Sequence, residues 1–509
     1  MKLKDVLSLA KQFRKSLCLC LLLGAPLLAL ALPVNALIKL ENTVAKTYAT
    51  SLAVLTGKVE GVNAETRVVD VGILETLKGK SPGQRLRVQI AAPAELLKEI
   101  APAQPLVFFL CETEGAGGAM IHLADKWLLA NGIPNSNLQV WRVVQVHDTM
   151  SQSFPGRTAA LVRLVGDLKA GKFTILDKWE RKPFAGGVHK IAKLNVQKPS
   201  WIMAADINGD KKPALLAGSA SGTRLLLATA NGYEDATEQS GLSGSASGYH
   251  ASGDIFSRGD GKLDLLLGDT LWISQGAGAG KRFVAAKAQL ELPAKGQPLA
   301  AALADVTGDG KPDALLLSDS GELRIFANPG APDKPWPLHA TKTLWTEAET
   351  AGKPQAKAFA AFGDWGDDGK LCVMTVSETG IVRYALDANG GAPADLLRLT
   401  GADLRKNEKY RGGLKNVMAA ALHMGESPRP DLFVLCDSGG LLLVNRGFGT
   451  YLLDDNAGAA FASGAEGQAG LKFTPATPWT PACLRGGAVD DLLVVGEDGT
   501  LYEVGNSPR

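Results

Sequence analysis

One run at residues 305–317 constrains the fold more than any other segment of this 509-residue chain. Acidic or hydroxyl side chains stand at alternate positions, glycines lie between them, and an apolar run follows at once. Oxygen ligands at alternate positions of a tight loop can converge on a hard cation such as Ca²⁺. The run therefore predicts a calcium-binding loop that leads into a buried strand. The predicted ligands are the side chains of Asp305, Thr307, Asp309 and Asp313 and the carbonyl oxygen of Lys311.

Related runs recur along the C-terminal two-thirds of the chain. Three lie at residues 205–216, 254–267 and 363–374, and two degenerate copies at 423–434 and 483–494 keep a final Asp and an apolar stretch. The spacing is about 50 to 60 residues, a period typical of propellers, solenoids and arrays. Hairpin signals after each buried strand leave room for four short strands per unit.

The repeats predict an all-β chain whose main part is a β-propeller of six to seven four-stranded blades. Six blades can be counted, and residues 172–200 leave room for a seventh. The last unit stops too early for four strands of its own. We therefore expect an N-terminal strand, such as Lys172–Leu176, to complete it and close the ring.

The other acidic loops depart from the pattern at 305–317. In the first unit Ala214 replaces the final acid, and whether this loop binds a metal stays open. In the second unit Phe256 and Arg258 stand where ligands should be, which favours a plain turn over a metal site. The last two units are expected to be metal-free turns. The remaining candidate metal ligands are Asp206, Asn208, Asp210, Asp260 and Asp264.

The first 36 residues have the pattern of a secretory signal peptide. Five basic residues precede the apolar stretch 17–32, and Val34-Asn-Ala36 fits a cleavage site. A retained membrane anchor is the alternative, but the stretch is short and Pro26 interrupts it. Without this segment the chain keeps 49 of 54 basic and 51 of 52 acidic residues. We predict an exported chain, secreted or periplasmic, with no stable membrane anchor after cleavage and no basic patch for nucleic acid.

Residues 37–150 lack the acidic loops and predict a small β-rich domain, either a barrel or a sandwich, with a loose likeness to OB or netrin-like barrels. Apolar residues at helical spacing predict a connecting helix over 151–171, and the propeller is assigned to 172–509. Four cysteines outside the leader form no C-x-x-C pair, which argues against zinc ribbons and thioredoxin-type redox motifs. The predicted strands of the small domain are 52–59, 67–73, 85–90, 106–110 and 140–147.

The repeated units resemble the FG-GAP/VCBS repeats of integrin α-subunit propellers and of secreted bacterial propellers. Residues 305–317 carry the core signature throughout, and Gly232–Leu242 resembles a Gly-Phe-x-Asp-Val-Thr stretch of bacterial VCBS-type proteins. The resemblance covers roughly residues 172–509. It implies a calcium-bound propeller used mostly for binding, and it implies no single reaction because fold and function separate easily.

Two functions from different classes remain open on the sequence. The first is a secreted, calcium-stabilised propeller that acts as a binding or scaffold module for a protein or carbohydrate partner. The alternative is an extracellular hydrolase or lyase on polysaccharide or phosphoester, with its site at the central channel. The sequence contains neither a Gly-x-Ser-x-Gly elbow nor a His-Glu-x-x-His motif, and no catalytic residue is predicted.

Overall fold

The computed structural model describes residues 43–506 with several gaps. The predicted signal peptide therefore lies outside the described residues. No helix in the described part is both long and apolar enough to cross a membrane. The gaps are residues 113–116, 155, 173–178, 180, 195–198, 230–231, 243–247, 257–261, 276–281, 346–358, 366–369, 379, 387–394, 401–413, 426–428, 456, 458–477, 483, 485–488 and 497.

A closed barrel of seven strands forms the N-terminal part of the described chain. The strand order is β1-β2-β3-β7-β6-β5-β4, in which β3 and β7 are parallel and all other neighbours are antiparallel. The prediction of a barrel or sandwich is thus resolved as a barrel, with two strands more than the five-stranded OB-fold. The strands are β1 (Ala53–Asn63), β2 (Val68–Lys78), β3 (Arg85–Ile90), β4 (Pro105–Glu112), β5 (Gly118–Leu123), β6 (Lys126–Gly132) and β7 (Val140–Val146).

Short helices surround the barrel and lead from it to the propeller. A 3₁₀ helix (Ala94–Glu99) follows β3. The sequence predicts one connecting helix over 151–171, whereas the structure has two that are separated at residues 154–157. The α-helices are α1 (Val44–Thr50), α2 (Asp148–Ser153), α3 (Thr158–Lys169) and, within the first blade, α4 (Thr237–Ser240).

Six four-stranded antiparallel sheets follow as the blades of a propeller. The first three are blade 1, β9 (Trp201–Ala205), β10 (Ala214–Ser219), β11 (Gly222–Thr229) and β12 (Gly232–Asp235); blade 2, β13 (His250–Gly253), β14 (Asp264–Leu267), β15 (Thr270–Ser274) and β16 (Phe283–Gln289); and blade 3, β17 (Pro298–Ala304), β18 (Asp313–Ser318), β19 (Glu322–Phe326) and β20 (Leu338–Thr343).

The last three are blade 4, β21 (Phe359–Gly363), β22 (Cys372–Ser377), β23 (Gly380–Ala385) and β24 (Asp395–Thr400); blade 5, β25 (Met418–Leu422), β26 (Asp431–Cys436), β27 (Gly439–Gly447) and β28 (Thr450–Asp454); and blade 6, β29 (Trp479–Ala482), β30 (Asp491–Val495), β31 (Thr500–Gly505) and the upstream strand β8 (Gly187–Lys193).

An upstream strand closes the ring, as the sequence predicts, but it is a different one. β8 pairs with β31 as the outermost strand of blade 6. Most of the proposed closing segment Lys172–Leu176 lies outside the described residues. The described sheets number six, and the described residues of 172–200 supply the closing strand.

The blades are held together by apolar side chains between neighbouring sheets. Each of six hydrophobic clusters joins one blade to the next, and the last joins blade 6 to blade 1. The second strand of a blade is covered on both faces, so its sequence is a continuous apolar run and not an alternating one. In β18 every residue from Asp313 to Ser318 is buried. Each buried Leu contributes roughly 1.5–3 kcal/mol.

Candidate functional site: the acidic loops between first and second strands

The third acidic loop connects β17 to β18 at the end of the propeller where the first strands finish. Asp305 organises this loop, because its two carboxylate oxygens accept hydrogen bonds from the amides of Gly308 (2.7 Å) and Gly310 (2.8 Å). Both glycines have positive φ, +78° and +81°, which a side chain would oppose. The two glycines of the motif are therefore required by the backbone whether or not a metal binds.

Asp309 and Lys311 form an ion pair on the same loop. The Lys311 ammonium lies 2.9 Å from Asp309 Oδ2, and the Lys311 amide donates to Oδ1 at 3.0 Å. The hydrogen bond from the Lys311 side chain is the main cause that lowers the pKa of Asp309. Both side chains are exposed by nearly half, at 44% for Lys311 and 43% for Asp309. A cation, in this case an ammonium, thus already lies against the loop.

Asp313 is the first residue of β18 and is completely buried. Its Oδ2 accepts the amides of Val306 and Thr307, each at 2.9 Å, and its Oδ1 accepts the amide of Asn328 at 3.0 Å. These bonds join the acidic loop to the segment that follows β19. Asp313 is therefore placed as a clamp inside the blade. We use this term for an Asp that starts a second strand and accepts a backbone amide near the end of the third strand.

The same clamp recurs in blades 2, 5 and 6. Asp264, Asp431 and Asp491 are all buried and each begins the second strand of its blade. Burial raises the pKa of Asp431 to about 6. Ala214 and Cys372 occupy the position in blades 1 and 4. The amides that bind these carboxylates are those of Ser274 (2.8 Å) in blade 2, Asn445 (2.6 Å) and Met424 (2.9 Å) in blade 5 and Asn506 (2.8 Å) in blade 6.

An Asn completes the clamp in three blades, and the sequence reading missed it. The Asn328 amide group donates to the Pro312 carbonyl (3.0 Å) and to the Ile255 carbonyl of the preceding blade (2.7 Å). Asn445 does the same with the carbonyls of Pro430 and Trp365. The signal was an Asn 14 or 15 residues after the clamp Asp in units 3, 5 and 6. These side chains link neighbouring blades.

The first acidic loop repeats part of this geometry. Asp206 accepts the amides of Gly209 (2.9 Å), Asp210 (3.1 Å) and Lys211 (2.8 Å). The Asn208 amide group donates to Asp210 Oδ2 at 3.1 Å. The predicted ligands Asp206, Asn208 and Asp210 are thus brought together. In the second loop Asp260 lies outside the described residues, and Asp264 is the buried clamp.

The donor set of the third loop suits calcium in its chemistry. Three carboxylates, a hydroxyl and a carbonyl oxygen lie within nine residues, and oxygen ligands of this kind are those that Ca²⁺ takes. The Lys311 ammonium of the same loop lies against Asp309. Among the residues that the structure describes, no group of three or more His, Cys, Asp or Glu is arranged to hold a metal ion. The calcium expectation stays a prediction.

Comparison with protein families gives one match. Residues 258–316 match the model of the FG-GAP-like repeat, a segment that runs from blade 2 through the third acidic loop into β18. This match lies within a ring of six four-stranded blades. The chain is a β-propeller protein that contains an FG-GAP-like repeat. No curated protein matches it.

The chain is also similar to solved structures, at low sequence identity and low TM-score. One is an Agrocybe aegerita lectin described as recognising non-reducing terminal N-acetylglucosamine, with 16% identity, a TM-score of 0.39, and coverage of 61% of this chain and 81% of that chain. Another is a putative 6-phosphogluconolactonase from Bacteroides uniformis, with 13% identity, a TM-score of 0.33, and coverage of 79% and 95%.

The central channel of the FG-GAP-like propeller is lined by the first strands of the blades, which lie side by side around the ring. They are rich in small apolar residues: β17 is Pro-Leu-Ala-Ala-Ala-Leu-Ala and β25 is Met-Ala-Ala-Ala-Leu. His250 is the one titratable side chain in these six described strands. Its ring stacks on Trp201 (4.5 Å, 9°), and burial lowers its pKa. Asp206 and Asp305 follow directly on β9 and β17, but their carboxylates bind amides of their own loops.

The barrel side of the chain is fixed to blade 5 of the FG-GAP-like propeller. Phe448, in the turn between β27 and β28, is buried in one cluster with Leu161 of α3. The buried Arg446 donates from Nη1 to the Ser153 carbonyl at 2.8 Å. The Arg163 guanidinium lies 5.4 Å from the centre of the Phe448 ring. Apolar packing, a buried hydrogen bond and a cation–π contact thus join the helices to the propeller.

Proposed function

We propose that this chain is an exported binding or scaffold protein whose propeller presents its loops to a protein or carbohydrate partner. The observation that carries the proposal is the contrast between the channel and the loops. The channel-lining strands carry one titratable side chain, whereas the loops between strands are polar and stand on a closed, rigid ring. A rigid scaffold with variable surface loops suits recognition.

Calcium would act on stability and not on chemistry. Asp305 and Asp309 place negative charge on one short loop, and the Lys311 ammonium offsets it in part. A bound Ca²⁺ would supply charge that cancels the repulsion, and its binding free energy would add to folding free energy. The residues that would hold it are Asp305, Thr307, Asp309 and the Lys311 carbonyl, with Asp313 supporting the loop from inside the blade.

The hydrolase or lyase alternative needs acid and base groups that converge at the channel. The first strands offer only His250 within the described residues, and Asp206 and Asp305 are engaged by their own loops. No observation favours this alternative, so we do not propose it. Export is supported by the repeat type, which is typical of extracellular proteins, and by the leader-like residues 1–36.

A pair of measurements on residues 37–509 tests the proposal. Thermal unfolding with calcium and with excess chelator should show a higher melting temperature with calcium, and Asp309→Ala should reduce that difference. A panel of defined glycans and extracellular-matrix proteins on a binding array should give saturable binding. Equal melting temperatures with calcium and chelator would refute the calcium part. Turnover of a polysaccharide or phosphoester substrate, abolished by substitution of His250, would refute the binding role.

A further inference from the structure

The acidic loops share a feature that their carboxylates do not explain. In each of the four acidic units a lysine stands two residues before the position of the clamp Asp. It follows the last loop acid by two residues in every case. Each of these loops therefore combines acidic side chains with a positive charge at a fixed position. These lysines are Lys212, Lys262, Lys311 and Lys370.

The geometry at Lys311 shows what this charge can do. Its Nζ donates to Asp309 Oδ2 at 2.9 Å, while its backbone amide donates to Oδ1 of the same carboxylate. Both oxygens of a predicted calcium ligand are thus bound by one residue. The first loop has the same backbone bond, from the Lys212 amide to Asp210 Oδ1 at 2.8 Å.

The lysine stem is held in place by the neighbouring turn. A Cβ built on Gly330 would lie 3.3 Å from Lys311 Cε and 3.5 Å from Cδ, so the stem passes close over this glycine. Gly330 has a φ of +77°, and its amide donates to Asn328 Oδ1 at 2.8 Å. Asn328 in turn binds the clamp Asp313 through its own amide. The stem of Lys311 therefore runs along this turn of the blade, and its half-exposed ammonium ends on Asp309.

We propose that Lys311 is a built-in counter-ion that holds the third loop in its metal-free state and is displaced when Ca²⁺ binds. The inference rests on the proposed calcium site and adds the regulation of that site. In the metal-free chain the ammonium neutralises Asp309, so the loop keeps its shape. When Ca²⁺ arrives, the Asp309–Lys311 side-chain bond breaks and Asp309 turns to the metal. Lys311 thereby stabilises the empty loop and weakens calcium affinity.

The size of the effect follows from the exposure of the pair. An ion pair this exposed is weak, equivalent to about a two- to fivefold change in a binding constant. Removal of the ammonium should therefore raise calcium affinity by about two- to fivefold. It should also lower the melting temperature in chelator, because Asp305 and Asp309 then repel each other without a counter-ion. A lysine that only packs its stem on Gly330 would lower stability without raising affinity.

The test compares Lys311→Met with the full mature chain and with Lys334→Met. Lys334 is an exposed lysine on the loop between β19 and β20 of the same blade, so the control removes an equal charge from the same region. Calcium is titrated calorimetrically, and melting is measured in chelator. Asp309→Asn shows which part of the calcium signal belongs to the third loop. We expect Lys311→Met to bind calcium about two- to fivefold more tightly and to melt earlier in chelator, and Lys334→Met to do neither.

The outcomes separate this inference from the proposed function. If the unmodified chain binds calcium and Lys311→Met binds it no more tightly than Lys334→Met does, the counter-ion role is wrong and the calcium site stands. If Lys311→Met binds calcium and the unmodified chain does not, the counter-ion role is supported and the native loop does not bind calcium measurably. If no variant gives a signal that Asp309→Asn removes, the calcium site and the inference fail together.

Discussion

His122 makes the junction between the barrel and α3 sensitive to acid. The imidazole is fully buried, its Nδ1 lies 2.9 Å from Thr158 Oγ1, and its Nε2 has no hydrogen-bond partner among the described residues. Trp127 and Phe154 contact the ring edge-on, with centroids 4.9 and 6.0 Å away. Asp125 is the charged group whose field favours the protonated form, and it also accepts the Thr158 amide at 2.8 Å.

Burial lowers the pKa of His122 from 6.5 to about 4. The unfolded chain then binds a proton at a higher pH than the folded chain does, so acid favours unfolding. The contribution of His122 to the free energy of unfolding is fully present above pH 6.5 and is lost as the pH falls toward 4. At pH 5 the unfolded imidazole is almost fully charged while the folded one is mostly neutral, and the loss is about 2 kcal/mol.

Urea unfolding of the mature chain at pH 7 and pH 5 measures this loss. The comparison variant is His122→Phe, which removes the titration and keeps the edge-on contacts with Trp127 and Phe154. Asp431 changes the stability in the opposite direction. Because its pKa is raised, its contribution to the free energy of unfolding is lost as the pH rises through about 6. It is present in both proteins, so it cancels from the difference. We expect the unmodified chain to lose about 2 kcal/mol more than the variant.

Equal losses in the two proteins would refute the reasoning. They would mean that the imidazole is hydrated in the folded chain or that Asp125 moves to pair with the charged ring. Spectroscopic titration of His122 would separate these two cases, since hydration predicts a pKa near 6.5 and pairing predicts a higher one.

Two further predictions concern the clamp and the junction. Asp313→Ala should lower the free energy of unfolding by about 3 kcal/mol, because three amides, one of them buried and two part-buried, lose their acceptor. Chemical denaturation measures this loss, and Asp333→Ala on an exposed loop should change the free energy of unfolding by less than about 0.5 kcal/mol. Phe448→Ala should cost about 3 kcal/mol and speed proteolysis between α2 and α3, because it opens a cavity where the helices meet blade 5. Leu453→Ala, which shortens a side chain 54% exposed, should leave the cleavage rate unchanged.

The fold could be predicted from the sequence where a strand is buried along its whole length, because its residues are then mostly apolar. The second strand of each blade is covered on both faces, so runs such as Asp313–Ser318 and Asp431–Cys436 stay apolar and can be counted. The preceding acidic turns mark their starts. This is why a propeller of six to seven blades and the all-β class followed from repetition alone. The structure confirms both and has six blades.

Elements with weaker or longer-range signals were placed wrongly or missed. The closing strand Gly187–Lys193 is only partly buried and contains no unbroken apolar run. The sequence pattern therefore favoured Lys172–Leu176 as the closing strand. The single predicted connecting helix ignored the Pro155-Gly156 pair, which disfavours a continuous helix. The amide that binds each clamp Asp lies near the end of the third strand, 10 to 15 residues away in sequence, and only the folded hairpin brings the two together.

The clamp also explains a pattern in the repeats that metal binding leaves unexplained. Blades 5 and 6 lack the alternating acidic pattern of the loop but have Asp431 and Asp491 at the start of the second strand. Blades 1 and 4 keep loop acids but have Ala214 and Cys372 at that position. The clamp acids and the loop acids therefore occur independently of each other within one chain. This is expected if the clamp acids stabilise the blade and the loop acids bind a cation. Blade 3 has both, so Asp309→Ala should remove the calcium response at little cost without calcium, whereas Asp313→Ala should destabilise the blade with or without it.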